Sequence, residues 1–335
     1  MATQLRDTQL GLVVRLLSGR RLFAYPDQLD GSLWKTFQAN TTHPSEEDLD
    51  EEAKVSAQAS KSDGDVVLVG WYDAHDPENP QNWPSWCKLL IVSVICLMNF
   101  AFYLASSIVT PAFESTMEDF GVSQTVATLG LSLFSLGYGL GPMLWSPLAE
   151  MPKVGRRDLY FFTMLAFVLL QLPTGYAINV PMYLVFRFIA GFVGSPALAV
   201  GGATIGDMYQ PAQLAYGFTI YATFGVFGPV FGPLLGGFAA QASGWRLTIW
   251  IIAWLGAFTV IVLFFCMPET SAATILYKRA KRLRQATGMQ NLRCQSEIDA
   301  AEYTAKDHRA ALLRAFTLTF GEPIVFLFDL YTALL

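Results

Sequence analysis

Six stretches of this 335-residue chain are each apolar for about the length needed to cross a bilayer, and no other feature restricts its fold so strongly. They run at about 88–110, 124–149, 159–178, 180–207, 213–239 and 246–267. Roughly 20 residues of helix, rising 1.5 Å each, cover the ~30 Å of hydrocarbon. Inside that layer every backbone N–H and C=O must find a partner within the segment, so the stretches are expected as helices. The fold class that follows is an all-α polytopic membrane protein. Only 15% of the residues are charged and the mean hydropathy is +0.38, against about 25% charged in soluble domains. The second, fourth and fifth stretches exceed the minimum, so tilting or protrusion is expected. A seventh begins at Pro323 and reaches Leu335 after 13 residues, too short to span.

The expected division is therefore a polar, largely disordered region over 1–87, six spans over 88–267, a polar loop over 268–322 and the start of a seventh span over 323–335. Within the first region, Leu5 to Leu22 mixes leucines with Arg15, Arg20 and Arg21, the pattern of a short interfacial helix. Arg15 interrupts any secretory-signal core. Glu46 to Glu52 is an acidic run expected to be solvated. Basic residues set the orientation. Seven precede the first span, Lys153, Arg156 and Arg157 lie between the second and third, and nine follow the sixth, whereas the alternate loops hold only Arg246. The amino terminus and the loop after the sixth span are expected in the cytoplasm.

The fifth stretch carries Gly225, Gly228, Gly232 and Gly236 on one helical face, with Pro229, Pro233 and Gly237 interleaved. Small residues in this register let a neighbouring helix approach backbone to backbone. Packing alone and a part in the mechanism are both open from spacing. Gly141-Pro142 late in the second span echoes Gly228-Pro229 late in the fifth, as inverted repeats of three spans would require. Arg187 lies several residues inside the fourth span, where a centred arginine costs about 2.5–3.5 kcal/mol. Either it faces a polar cavity or carboxylate, or it snorkels to headgroups. Asp207 and Glu150 end the fourth and second spans on the basic side; Glu150 with Arg156 or Arg157 is expected as a latch that makes in one global state and breaks in another. Asn99, Phe102, Tyr103, Phe134 and Tyr138 are candidates to line a cavity for a flat amphiphile, though rings in apolar helices equally serve packing or face lipid.

An enzyme is not expected. His43, His75 and His308 lie outside the spans without ligand-like spacing, no metal site is expected, and no phosphate-binding loop is present. Cys87, Cys96, Cys266 and Cys294 show no metal spacing, and no disulfides are expected. Net charge −5 does not suggest nucleic acid, and no ring of like charges suggests a channel.

With these residues assembled, the chain resembles the fungal major-facilitator drug:proton antiporters of twelve spans, in the branch associated with benomyl, fluconazole and caffeine resistance. Gly225 to Gly237 is similar to their fifth-helix motif, with Thr219 in the most upstream glycine slot. Arg187, Gly191 and Asp207 match the fourth-helix motif. Ser146-Pro-Leu-Ala-Glu-Met-Pro-Lys-Val-Gly-Arg-Arg157 resembles the loop motif, departing from it at Ser146, Glu150 and Met151 and by two inserted residues. Pro268-Glu-Thr-Ser271 and the basic run after Tyr277 resemble the start of the central loop. The resemblance implies the first six-helix bundle of the major facilitator fold, and a protein that exchanges protons for amphiphilic drugs across the plasma membrane by alternating access. It implies proton coupling at Arg187 and Asp207, a latch at Glu150, Gly155, Arg156 and Arg157, no cofactor, and a second six-helix half as partner. Two alternatives stand beside it: an inactive or regulatory half, and a nutrient uniporter or symporter, which the fifth-helix motif disfavours.

Overall fold

In the computed structural model of the chain, residues 6–18, 25–26, 37, 66–302, 321–324 and 327 are described. Among them are six helical spans long and apolar enough to cross a membrane: Ser85–Phe120, Gln124–Glu150, Arg156–Gly175, Val180–Met208, Leu214–Ser243 and Trp245–Cys266. Prolines punctuate them where the missing N–H leaves a gap in the ladder. The first is a helix Ser85–Ser107 that passes through a tight turn at Thr110–Ala112, containing Pro111, into Phe113–Phe120. The fourth divides at Ser195 into Val180–Gly194 and Pro196–Met208. The fifth nevertheless runs as one 30-residue helix with Pro229 and Pro233 inside it.

The second span packs most extensively on the fourth, the first on the fifth, and the third on the sixth. If spans one to three repeat as four to six, the pair of second and fourth corresponds to that of fifth and first. The observed pairing has that symmetry. Phe102 sits at the centre, its ring 5.2 Å from Phe134, 6.1 Å from Tyr138 and 5.5 Å from Phe167. It thereby ties the first three spans together. The fifth span is the least enclosed, with Val226, Val230 and Phe238 at 64%, 64% and 69% exposure.

The basic end of the bundle carries more order than a polar tail and a loop. Helices Gln9–Leu17, Ala272–Thr287 and Gln295–Glu302 assemble there with a two-stranded parallel sheet, Val67 opposite Leu292 and Leu68 opposite Arg293. Phe37, Val69, Ala280, Leu283, Leu292 and Cys294 form its small core. The expectation of a largely disordered first 87 residues is corrected for 66–87, where burying this apolar set against the loop helix offsets the entropy of ordering them; over 6–18 the helix Gln9–Leu17 falls within the stretch expected as a short helix. The Glu46 to Glu52 run lies outside the described residues, as does all of the seventh stretch except Pro323, Ile324 and Leu327.

Candidate functional site

Arg187 is fully buried, about 10 Å into the fourth span at 1.5 Å per residue. Its Nε donates to the Gly130 carbonyl at 3.3 Å, and both terminal nitrogens donate to the Ala105 carbonyl at 3.1 Å. The guanidinium carbon lies 4.6 Å from the centre of the Phe134 ring. The side chain therefore does not snorkel to headgroups, and among the described residues no carboxylate is paired with it. Expectation and structure differ here: carbonyl oxygens and a ring face hold the charge in place of an acid. Gly130 is required at this point, because a Cβ there would sit 2.5 Å from the Tyr183 ring.

The glycine face of the fifth span lies flat on the first. A Cβ on Gly228 would lie 2.5 Å from that of Tyr103 and 2.9 Å from the Leu104 nitrogen; on Gly236 it would lie 3.0 Å from the Ile108 carbonyl carbon. On Gly232 it would collide with the Ser107 hydroxyl, and on Gly225 it would meet Asn99 at 3.2 Å. Gly237 looks into open space, and Pro229 and Pro233 are exposed. Ser107 donates to the Gly228 carbonyl at 3.3 Å and Asn99 to the Tyr221 carbonyl at 3.2 Å. Asn99 thus reaches from first to fifth span much as Arg187 reaches from fourth to second, a second sign of the inverted repeat. Of the cavity candidates, Phe102 and Phe134 have their rings inside the bundle, at 1% and 0% exposure. Tyr103 and Tyr138 are half-buried. Asn99 is 2% exposed and, among the described residues, its Oδ1 has no partner.

At the basic end Gly155, Arg156 and Arg157, expected as parts of a latch, lie together, but the arginines form other pairs than expected. Arg156 forms its ion pair with Asp207, so the acid that ends the fourth span and the loop arginine are one unit. Beside them the Tyr160 and Thr204 hydroxyls are 2.8 Å apart. Arg157 pairs with Asp158 at 2.7 Å and donates to the Asp7 carbonyl at 2.7 Å. Glu150 is exposed and, among the described residues, forms no ion pair, which corrects its expected pairing with Arg156 or Arg157. The physical reason lies in the returning chain. Glu269 accepts from the Arg156 backbone N–H at 3.1 Å and from those of Thr270 and Ser271 at 3.2 Å, and Lys278 stands 3.6 Å away. Its carboxylate occupies the space a side chain at residue 155 would need, and Gly155 has φ +76°. Glu269 thus takes the place against the loop that Glu150 was expected to fill.

Nor did the sequence mark a second buried cluster. Arg279 is fully buried and donates to Asp76 at 2.8 Å, Glu78 at 2.9 Å and the Gly70 carbonyl at 3.0 Å. Arg6 reaches Glu78 at 2.8 Å and Arg282 reaches it at 3.3 Å. Burial pushes both carboxyls up, but the arginines, and for Asp76 the N–H groups of Tyr72 and Glu78, outweigh it and hold them below their ordinary values. A basic run reads in sequence only as an orientation signal; that one arginine in it is a core residue needs the acids 200 residues earlier brought beside it. Pro268-Glu-Thr-Ser271 was visible as a motif, but no spacing connects it to Gly155.

Residues 95–334 match the Major Facilitator Superfamily. This chain belongs to that superfamily. Its members are membrane transporters rather than enzymes. The major facilitator chain is 39% identical over 270 residues to transporter mfs1 of Schizosaccharomyces pombe, covering 80% of this chain and 51% of that one. It is 36% identical to the cycloheximide resistance protein of Candida maltosa, covering 100% and 63%, and 40% identical to fluconazole resistance protein 1 of Saccharomyces cerevisiae, covering 80% and 49%. This major facilitator chain therefore spans about half to three-fifths of the length of these relatives. It is an integral membrane protein of the major facilitator fold.

Proposed function

We propose that the chain is one six-helix half of a proton-coupled exporter of amphiphilic small molecules such as drugs, fungicides and toxins. It works by alternating access in the plasma membrane, with the amino terminus and central loop in the cytoplasm. Arg187 carries this reading. A permanent charge at full burial, answered only by carbonyls and a ring, lowers the energy of a nearby carboxylate and raises that of a second cation. A carboxylate that comes within reach of this charge, from the cargo or from the second six-helix half, holds its proton less tightly there, so proton binding and cargo binding at Arg187 oppose one another. The resistance named for two relatives supports drugs as cargo. The exposed faces of the second and fifth spans are where a second six-helix half packs, and Tyr103 and Tyr138 form part of the cargo wall, with Asn99, Phe102 and Phe134 packed behind them. The ion pair of Arg156 with Asp207, Gly155 and Glu269 close the cytoplasmic side in one state and part in the other.

The test expresses the complete reading frame that contains this chain in yeast stripped of its own exporters, and follows retention of labelled fluconazole. Retention is expected to fall, to recover when a protonophore collapses the gradient, and to recover equally in Arg187→Ala at matched surface expression. Efflux that survives the protonophore undiminished overturns the coupling, and gradient-independent uptake of a nutrient in its place supports the uniporter alternative.

A further inference from the structure

The helix Gln9–Leu17 is built inside out for a helix on a polar domain. Its first turn is polar and docked: Thr8 and Gln9 are buried, Gln9 donates to Asp158 at 2.7 Å, and the Asp7 carbonyl just before it accepts from Arg157 at 2.7 Å. Its later turns are apolar and uncovered, with Val13, Leu16 and Leu17 at 41%, 73% and 83% exposure. With half-buried Leu10, these residues share one face at helical spacing. Leaving such a face in water forfeits the burial that drives an amphipathic helix to fold.

What surrounds the helix names the occupant. It packs against the sixth span, whose exposed residues Trp254, Phe258, Ile261 and Phe265 recur every three or four positions toward its end at Cys266. That stripe faces hydrocarbon in any bilayer holding six spans. The exposed leucines therefore lie on a helix packed against the span that carries this stripe, with its first turn fixed at the start of the third span, the end where the spans leave the membrane. In sequence, Arg20 and Arg21 directly follow the helix, as suits anionic headgroups.

We propose that Gln9–Leu17 is an interfacial anchor whose Val13, Leu16 and Leu17 face inserts into the lipid leaflet at the basic end, while its first turn holds Arg157 and Asp158 at the start of the third span. The anchor fastens the loop between the second and third spans to the leaflet surface. It requires only that the six spans lie in a bilayer and is independent of what the protein transports.

The test places a nitroxide at Leu17→Cys in the full chain with Cys266→Ala; Cys87, Cys96 and Cys294 are buried and remain. The chain is set in phosphatidylcholine–phosphatidylserine nanodiscs, with exposed Lys281→Cys as the aqueous reference. The expected result at residue 17 is high collision with oxygen and low collision with a water-soluble nickel chelate, the reverse of residue 281. Nickel access equal to that at residue 281 overturns the anchor, because the face is then in water. Protection from both reagents overturns it too, because a protein segment then covers the face. As a check on the mode of docking, Leu16→Asp with Leu17→Cys is expected to raise nickel access while size-exclusion behaviour stays unchanged; unaltered access counts against lipid as the occupant.

Discussion

Two acidic residues at the basic end look alike along the chain and differ in their surroundings. Asp207 answers Arg156, which is only 9% exposed, whereas Glu150 answers no cation among the described residues. Asp207→Asn leaves a mostly buried guanidinium without its counter-charge and is expected to cost about 1–3 kcal/mol of stability. Glu150→Gln is expected to stay within about 0.5 kcal/mol of the parent. Thermal unfolding in detergent, with Arg156→Gln completing a double-mutant cycle, checks both. Equal losses would restore Glu150 to the latch. Gly155 is the other residue-scale lever, since it combines φ +76° with the Glu269 carboxylate where a Cβ would go. Gly155→Ala is expected to lose roughly 1–3 kcal/mol from a backbone of positive φ and extended ψ (76°, 171°), which is nearly confined to glycine, plus the collision. Because Glu269 also accepts three backbone N–H bonds, the comparison is made in a Glu269→Ser background. There Gly155→Ala should lose less by only the carboxylate's share of the collision, and no loss at all in the melting curve would show that the backbone is not the constraint.

At the scale of the helices, close backbone approach holds the two strongest pairs together. The first and fifth spans meet along Gly228, Gly232 and Gly236; the second and fourth meet at Gly137 and Gly191, where a Cβ on Gly137 would lie 2.8 Å from the Phe192 nitrogen. Gly232→Leu is expected to push the first and fifth spans apart at a cost of about 1–3 kcal/mol. Gly237→Leu, facing open space, is expected to be nearly silent. Detergent thermostability of the two variants side by side decides it, and equal melting would mean that the glycines do not carry the packing. The stripe and its partnering role were legible in sequence, because a four-residue period fixes a helical face whatever surrounds it. Which span it meets was not, because all six offer an apolar surface and only the assembled bundle selects among them.

For the molecule as a whole, the charged cluster at Arg279 ties residues 66–83 to the loop helix and so governs how the basic end holds together. Asp76 and Glu78 have folded values below their ordinary 3.8 and 4.5. The stability they contribute is thus complete above about pH 4.5 and is lost as pH falls through the lowered folded values. Protonating them leaves Arg279, fully buried, without counter-charge. Hydrogen exchange in the segments around Val67–Leu68 and Leu292–Arg293 is expected to accelerate below about pH 4 while the six spans stay protected. Simultaneous loss of protection in the spans would show that this region and the bundle unfold as one unit.

Sequence by itself determined the six spans found among the described residues, their approximate bounds, the helical class, the glycine face of the fifth span and the anomaly of Arg187. Hydrocarbon imposes these locally: a segment must be long enough, apolar enough and internally hydrogen-bonded, and a charge inside it is conspicuous at once. The tertiary structure alone decided who meets whom. It set Arg187 on the carbonyls of Ala105 and Gly130, gave Arg156 to Asp207, brought Glu269 back over Gly155, and buried Arg279 between Asp76 and Glu78. Those partners lie tens to hundreds of residues apart, and electrostatic and packing energies depend on distance in space, which only the folded chain defines.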